Sequence, residues 1–181
     1  VTDVGLDVSD VVLTTAASGQ LEVMASVTAG RMLFYAVMAD TVQLTGELPL
    51  PHSVSRFQPL TLGDGFVTGS MDGELGLYHN LGEDENLQMA QPVSAHQSLI
   101  TGIDVQPGGT LAASVADQGS LAVVDLAQMA VVRQYSYADP VSLSAVIFRA
   151  VDGCVLTAGT SPKGQLKLWD IRQASSTAAA T

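Results

Sequence analysis

Four glycines set a beat along this chain. Gly30, Gly73, Gly119 and Gly164 stand 43, 46 and 45 residues apart. Around each the sequence repeats one pattern: a run of small and apolar residues, a tight turn, then an alternating run. The four copies are residues 23–35, 66–78, 111–125 and 155–170. A repeat of this length constrains folding strongly, because one unit cannot bury its apolar face alone and must stack on the next. Asp72-Gly73 between two apolar runs is a hairpin signal, since glycine accepts the positive φ that such turns demand. Residues 165–170 alternate, which puts Leu166 and Leu168 on one face of a strand. No long amphipathic helical pattern interrupts this reading.

The period and the hairpins predict an all-β chain folded as a partial WD40-type β-propeller, whose blades run about 40–45 residues and four strands each. Blades are expected near 6–47, 53–91, 99–135 and 142–172, making one unit of 1–173. The Ala/Ser/Thr stretch 174–181 reads as a disordered tail. In the third repeat Ala95-His96 precedes an inner strand at 99–105, Pro107-Gly108-Gly109 turns the chain, and residues 131–135 suit an outer strand. The fourth inner strand, 142–148, is expected to place Val141, Leu143, Ala145 and Ile147 on one face. Residues at the structural positions of such repeats are His96, Ser114, Asp72, Gly73, Trp169 and Asp170. Tyr35, Tyr78 and Val124 stand in the Trp place elsewhere, so apolar contact between sheets is expected to hold the blades. Four blades in an open run would leave a blade face and two edges bare, which predicts that the natural chain is longer.

Composition removes several classes of function. Lys and Arg number 7 against 18 Asp and Glu, a formal net charge of −11. That field repels a phosphate backbone, so no direct nucleic-acid partner is expected. The single cysteine, Cys154, cannot close an intrachain disulfide and reads as a small core residue of a reducing compartment. No apolar run is long enough to insert through a bilayer as a helix. His52, His79 and His96 lack metal-ligand spacing. Gly63-Asp64-Gly65 is a turn rather than a phosphate cradle, because no helix follows it. Glu83-Asp84-Glu85 reads as a solvated loop. Only Asp7, Asp10 and Asp104 could point inward from inner strands, too few and too unmatched for a propeller hydrolase. The chain is therefore expected to be no enzyme, with no cofactor, metal or small-molecule substrate. His52, in the loop Pro51-His52-Ser53, and Arg172 are the candidate partner contacts.

A resemblance sharpens the expectation. Leu143-Ser144-Ala145-Val146-Ile147-Phe148, then Val155-Leu156-Thr157, then Gly164-Gln165-Leu166-Lys167-Leu168-Trp169-Asp170-Ile171-Arg172-Gln173, resemble the family of the 43-kilodalton WD-repeat nucleoporin, and Asp7-Val8-Ser9-Asp10-Val11 is more weakly similar. That family belongs to the Y-shaped outer-ring complex of the nuclear pore. The resemblance implies a ring of about seven blades. It also implies a scaffold at the nuclear envelope whose partners are other outer-ring nucleoporins and which supports transport of protein and mRNA. A second resemblance competes with it. Trp169-Asp170-Ile171-Arg172 is similar to the WDxR box of substrate receptors of cullin-type ubiquitin ligases, although Ser161-Pro162-Lys163-Gly164 lacks the Asp that precedes that box.

Overall fold

A computed structural model describes residues 7–15, 19–60, 65–80, 87–149, 152–160 and 164–172. The expected tail at 174–181, the acidic stretch 83–85 and most of the turns at 63–65 and 161–164 lie outside them. Among the described residues the regular elements are all strands, in four antiparallel sheets. The first holds β1 (Val8–Thr15), β2 (Leu21–Val27), β3 (Arg31–Val37) and β4 (Val42–Pro49). The second holds β5 (Val54–Pro59), β6 (Gly65–Ser70), β7 (Glu74–Asn80), β8 (Leu87–Met89) and β9 (Val93–Ser94). The third holds β10 (Ile100–Val105), β11 (Leu111–Ala116), β12 (Leu121–Asp125) and β13 (Ala130–Tyr135). The fourth holds β14 (Leu143–Arg149), β15 (Cys154–Gly159) and β16 (Gln165–Asp170).

Each sheet is a meander whose second and third strands meet at one of the rhythmic glycines. Gly73 and Gly119 have φ of 88° and 75°, which a β-carbon disfavours. They also lie under the next blade's entry loop. A Cβ on Gly73 would stand 2.5 Å from the His96 carbonyl oxygen, and one on Gly119 would strike the Asp139 carbonyl. The outer strand of the second sheet is split, with β8 and β9 both paired to β7. Pro92 explains the gap, because it has no N–H to donate to the ladder. Blade two thus runs past the expected boundary at 91.

The core lies between sheets rather than within one. Three clusters of buried side chains fill the three junctions between successive blades. The first is aromatic, with Phe66 stacked on Tyr78 at a centroid distance of 5.0 Å. The second is aliphatic, around Val67, Leu75, Leu77 and Ile100. The third centres on Trp169, tilted against Tyr135 at 4.8 Å. Two sheet faces, not one, remain uncovered: blade one exposes Val11 and Leu13, and blade four exposes Ile147 and Leu166.

One regularity escaped the sequence. Every inner strand carries a β-bulge at its start, between Val8 and Asp10, Val54 and Arg56, Ile100 and Gly102, and Leu143 and Ala145. The extra residue is always a hydroxyl: Ser9, Ser55, Thr101 or Ser144. A bulge shifts the inside–outside alternation by one place. That corrects the expected face of Val141, Leu143, Ala145 and Ile147: Leu143, Val146 and Phe148 point into the junction, while Val141, Ala145 and Ile147 are exposed. Two of the bulge hydroxyls reach the next blade, while Ser9 and Ser144 bond within their own sheets. Ser55 donates to the Ile100 carbonyl at 2.7 Å and Thr101 to the Leu143 carbonyl at 2.5 Å. Replacing Thr101→Val keeps the side-chain shape and removes that donor. Stability is expected to fall by about 1–2 kcal/mol, the cost of an orphaned acceptor. In a urea titration the midpoint should drop with the slope unchanged.

Candidate functional site

Strand register defines equivalent positions in the blades. Thr68, Ser114 and Thr157 occupy one place on the second strand of blades two, three and four. Each receives a different partner. In blade three, His96 is 3 % exposed and bridges two hydroxyls, Nε2 to Ser114 Oγ at 2.8 Å and Nδ1 to Ser120 Oγ at 2.6 Å. Burial holds its pKa down at about 4, with the Ser114 hydrogen bond opposing the shift. In blade two, His52 Nε2 lies 3.4 Å from Thr68 Oγ1. The ring is half-buried and turned toward its own blade. Gly76 makes the room; a Cβ there would crowd Thr68 Oγ1 at 2.9 Å. Burial also lowers the His52 pKa, and the nearby Glu74 and Asp72 carboxylates oppose it. In blade four, Trp169 donates its indole N–H to Thr157 Oγ1 at 2.9 Å.

No histidine precedes blade four. Asp139 takes that place: its N–H bonds to the Gly119 carbonyl as that of His96 bonds to Gly73. The side chain is fully buried, accepts the Val141 N–H at 3.0 Å through Oδ1, and faces Lys167 Nζ at 3.6 Å through Oδ2. Oδ2 has no hydrogen bond proper, so the link to Lys167 is a close ion pair. Lys167 Nζ itself donates to the Ala138 carbonyl at 2.6 Å. The sequence reading missed this pair. Counting from the turn glycines would not have found it: His96 lies 23 residues after Gly73, whereas Asp139 lies 20 after Gly119.

The inner rim is stitched by charged side chains. Asp10 Oδ2 accepts the Phe57 N–H at 3.1 Å, and Asp104 Oδ2 accepts the Phe148 N–H at 2.7 Å, each from the next blade. Burial pushes the Asp104 pKa up, while its backbone donors pull it down. The Arg56 guanidinium collects carbonyls from three blades: Ser9 at 3.2 Å, Ser55 at 2.8 Å and Thr101 at 3.0 Å. These are three of the four bulge residues. Of the carboxylates expected inward, Asp10 and Asp104 are thus spent on backbone donors. Among the described residues no three His, Cys, Asp or Glu side chains group as metal ligands would.

The remaining sequence-selected residues sit at turns and strand ends. Asp72 is exposed in the Gly73 turn and its N–H meets Ser70 Oγ at 3.1 Å. Asp170 ends β16 and holds Arg172 in a bidentate pair, both contacts at 2.8 Å. A surface cleft of about 360 Å³ opens beside His96, lined by Gln97, Gln118, Gln134, Ser136 and Tyr137. Its lining carries no formal charge, and Tyr137 is 91 % exposed. His96 and Ser120 do form a base–hydroxyl pair at this cleft. A base of pKa about 4 is weak at neutral pH, and its other nitrogen meets Ser114 where a hydrolytic triad has a carboxylate.

These features define four blades of a WD40-type propeller, held by inter-blade apolar junctions and blade-internal polar bridges. Solved structures carry the same fold. The chain is similar to the RRP9 WD40 repeats, at a TM-score of 0.77 and 14% identity, over 96% of this chain and 51% of that one. It is equally similar to U3-55K, at 0.77 and 14%, over 96% and 52%. The chain spans about half the length of the structures it matches. As 1326 solved chains match, the likeness fixes the fold and leaves the function to the surface. No protein-family profile and no curated protein sequence matches the chain.

Proposed function

We propose that this chain is a protein-binding scaffold, and that its partners are outer-ring nucleoporins at the nuclear envelope. The observation that carries the scaffold reading is the cleft beside His96. It offers side-chain amides and hydroxyls without formal charge next to a tyrosine that touches almost nothing in its own chain. An amphipathic aromatic beside uncharged hydrogen-bonding groups is the composition of a protein-interface hot spot. The nucleoporin reading rests on the residues of blade four that resemble that family, which form β14, β15, β16 and the turn after them. The ligase-receptor alternative needs Arg172 to bind an adaptor, yet the Asp170 carboxylate engages its Nε and Nη2.

Affinity capture from nuclear-envelope extract tests both levels. The wild-type chain should recover outer-ring nucleoporins. Tyr137→Ala should lower that recovery roughly ten-fold, the loss of about 1.4 kcal/mol that a hot-spot residue exceeds. Its melting temperature should be unchanged, because the ring is exposed. Recovery of a cullin adaptor in place of nucleoporins would overturn the particular partner, and equal recovery by the variant would overturn the cleft.

A further inference from the structure

The cleft beside His96 is uncharged within and acidic at its rim. Three of its lining side chains are glutamines, Gln97, Gln118 and Gln134. Gln134 donates through Nε2 to the Ala95 carbonyl at 2.9 Å, which leaves its Oε1 to accept. His96 lines the cleft too, and burial keeps its pKa at about 4, so the ring adds no cation at neutral pH. Asp117 precedes Gln118 in the turn between β11 and β12. Asp72 stands in the turn whose Gly73 carbonyl accepts the Ala95 and His96 N–H groups. Both carboxylates are exposed, and neither joins an ion pair among the described residues.

The cations beside this cleft are already engaged. Arg133, next to Gln134, donates to the Ile171 and Val132 carbonyls. Lys167 reaches the chain at Ala138 and faces the buried Asp139. The whole chain carries a net charge of −11. An anionic ligand would be repelled by that field. An apolar one would strip water from the glutamine amides and replace none of its hydrogen bonds. A cation that is also a hydrogen-bond donor satisfies both constraints. The exposed Tyr137 ring narrows the choice, since it offers an open π face to a cation. A guanidinium is flat enough to lie on that face, and its five donors with no acceptor suit amide and hydroxyl oxygens. An ammonium is compact and strongly hydrated, and has no such face.

We propose that the cleft takes an arginine side chain from an exposed segment of a protein partner. The guanidinium stacks on Tyr137 and bonds to the side-chain oxygens of Gln118 and Gln134, and Asp117 balances its charge. This rests on the reading of the cleft as a protein contact and names what enters it. The volume of about 360 Å³ lies at the lower end of the range of about 300–1,000 Å³ for small-ligand sites, which suits one long side chain rather than a helix. The rim carboxylates draw the cation in from solvent, and the ring and amides hold it.

Titration of the isotope-labelled chain with N-acetyl-arginine N-methylamide, followed by nuclear magnetic resonance, tests this. The side-chain amide signals of Gln97, Gln118 and Gln134 should shift and saturate. The citrulline derivative keeps the shape without the charge and should bind roughly five-fold more weakly, and the lysine derivative roughly three-fold more weakly. Tyr137→Ala should weaken the arginine probe roughly five-fold. Asp117→Asn should weaken it roughly three-fold and flatten the loss of affinity with added salt. Both residues are exposed, so both variants should keep the wild-type melting temperature. Shifts that never saturate overturn the proposal, as does equal affinity for the citrulline or the lysine derivative. If the probe fails while Tyr137→Ala still lowers nucleoporin recovery, this proposal falls and the cleft stands as a protein contact. If the probe binds while Tyr137→Ala leaves recovery unchanged, the contact with nucleoporins falls and the arginine site stands.

Discussion

Asp139→Ala is expected to destabilise the chain by about 3–5 kcal/mol, the usual cost of stranding one member of a buried ion pair. The carboxylate is fully buried and Lys167 is nearly so, with its side chain 13 % exposed. Removing Asp139 leaves the ammonium with the Ala138 carbonyl alone and also frees the Val141 N–H. A domain of this size has a total stability on the order of 10 kcal/mol, so the loss is a large share of it. Chemical denaturation of wild type and variant measures it directly. A double substitution separates charge from packing. Asp139→Asn keeps the volume that fits over Gly159, and Lys167→Met removes the stranded charge. The pair together should be more stable than Asp139→Asn alone, because an apolar stem fills the space at no desolvation cost. Additive losses from the two single changes would mean that the two groups do not interact.

Asp139 also shows where the sequence stopped being legible. The blade rhythm was readable because hairpin turns demand glycine for a reason local to four residues. Trp169 and His96 were readable because large or titratable side chains at strand-relative positions stand out. The third histidine place was not, because an Asp–Lys pair does the work of a His–Ser pair with different residue types. The ion pair joins positions 28 residues apart in the chain, and only register brings them together. The bulges hid for a similar reason. A serine or threonine at the start of an inner strand looks like any half-buried strand residue. Its meaning emerges only when Ser9, Ser55, Thr101 and Ser144 are laid over one another. The misplaced face of residues 141–147 follows from that omission, since strict period-two counting fails across a bulge. Arg56 was silent too: nothing local says that an exposed arginine will gather carbonyls from three blades.

His96 is expected to make this chain sensitive to mild acid. Its imidazole is buried between two hydroxyls, and its folded pKa is about 4 against an ordinary value of 6.5. The unfolded chain therefore binds a proton as pH falls through 6.5, while the folded chain holds the ring neutral until about 4. Between those values the unfolded state carries more protons, so stability rises with pH. The contribution is complete above 6.5 and is lost as pH falls toward 4. The gap between the two pKa values corresponds to a loss on the order of 3 kcal/mol. His52, also shifted down by burial, adds the same sign. Asp104, shifted up by burial, has the opposite sign at lower pH. The diagnostic is accordingly a difference rather than one curve. At pH 7.5, His96→Ala should cost about 2–4 kcal/mol, because Ser114 and Ser120 are left buried without their partner and a cavity opens. At pH 4.5 the gap between wild type and variant should shrink by more than half, because wild type has by then lost most of what the neutral ring contributed. Urea midpoints of both proteins at the two pH values suffice. A gap that stays constant would mean that the folded blade leaves the imidazole pKa where the unfolded chain has it, and a gap that widens toward pH 4.5 would mean that the ring is protonated in the folded blade at neutral pH.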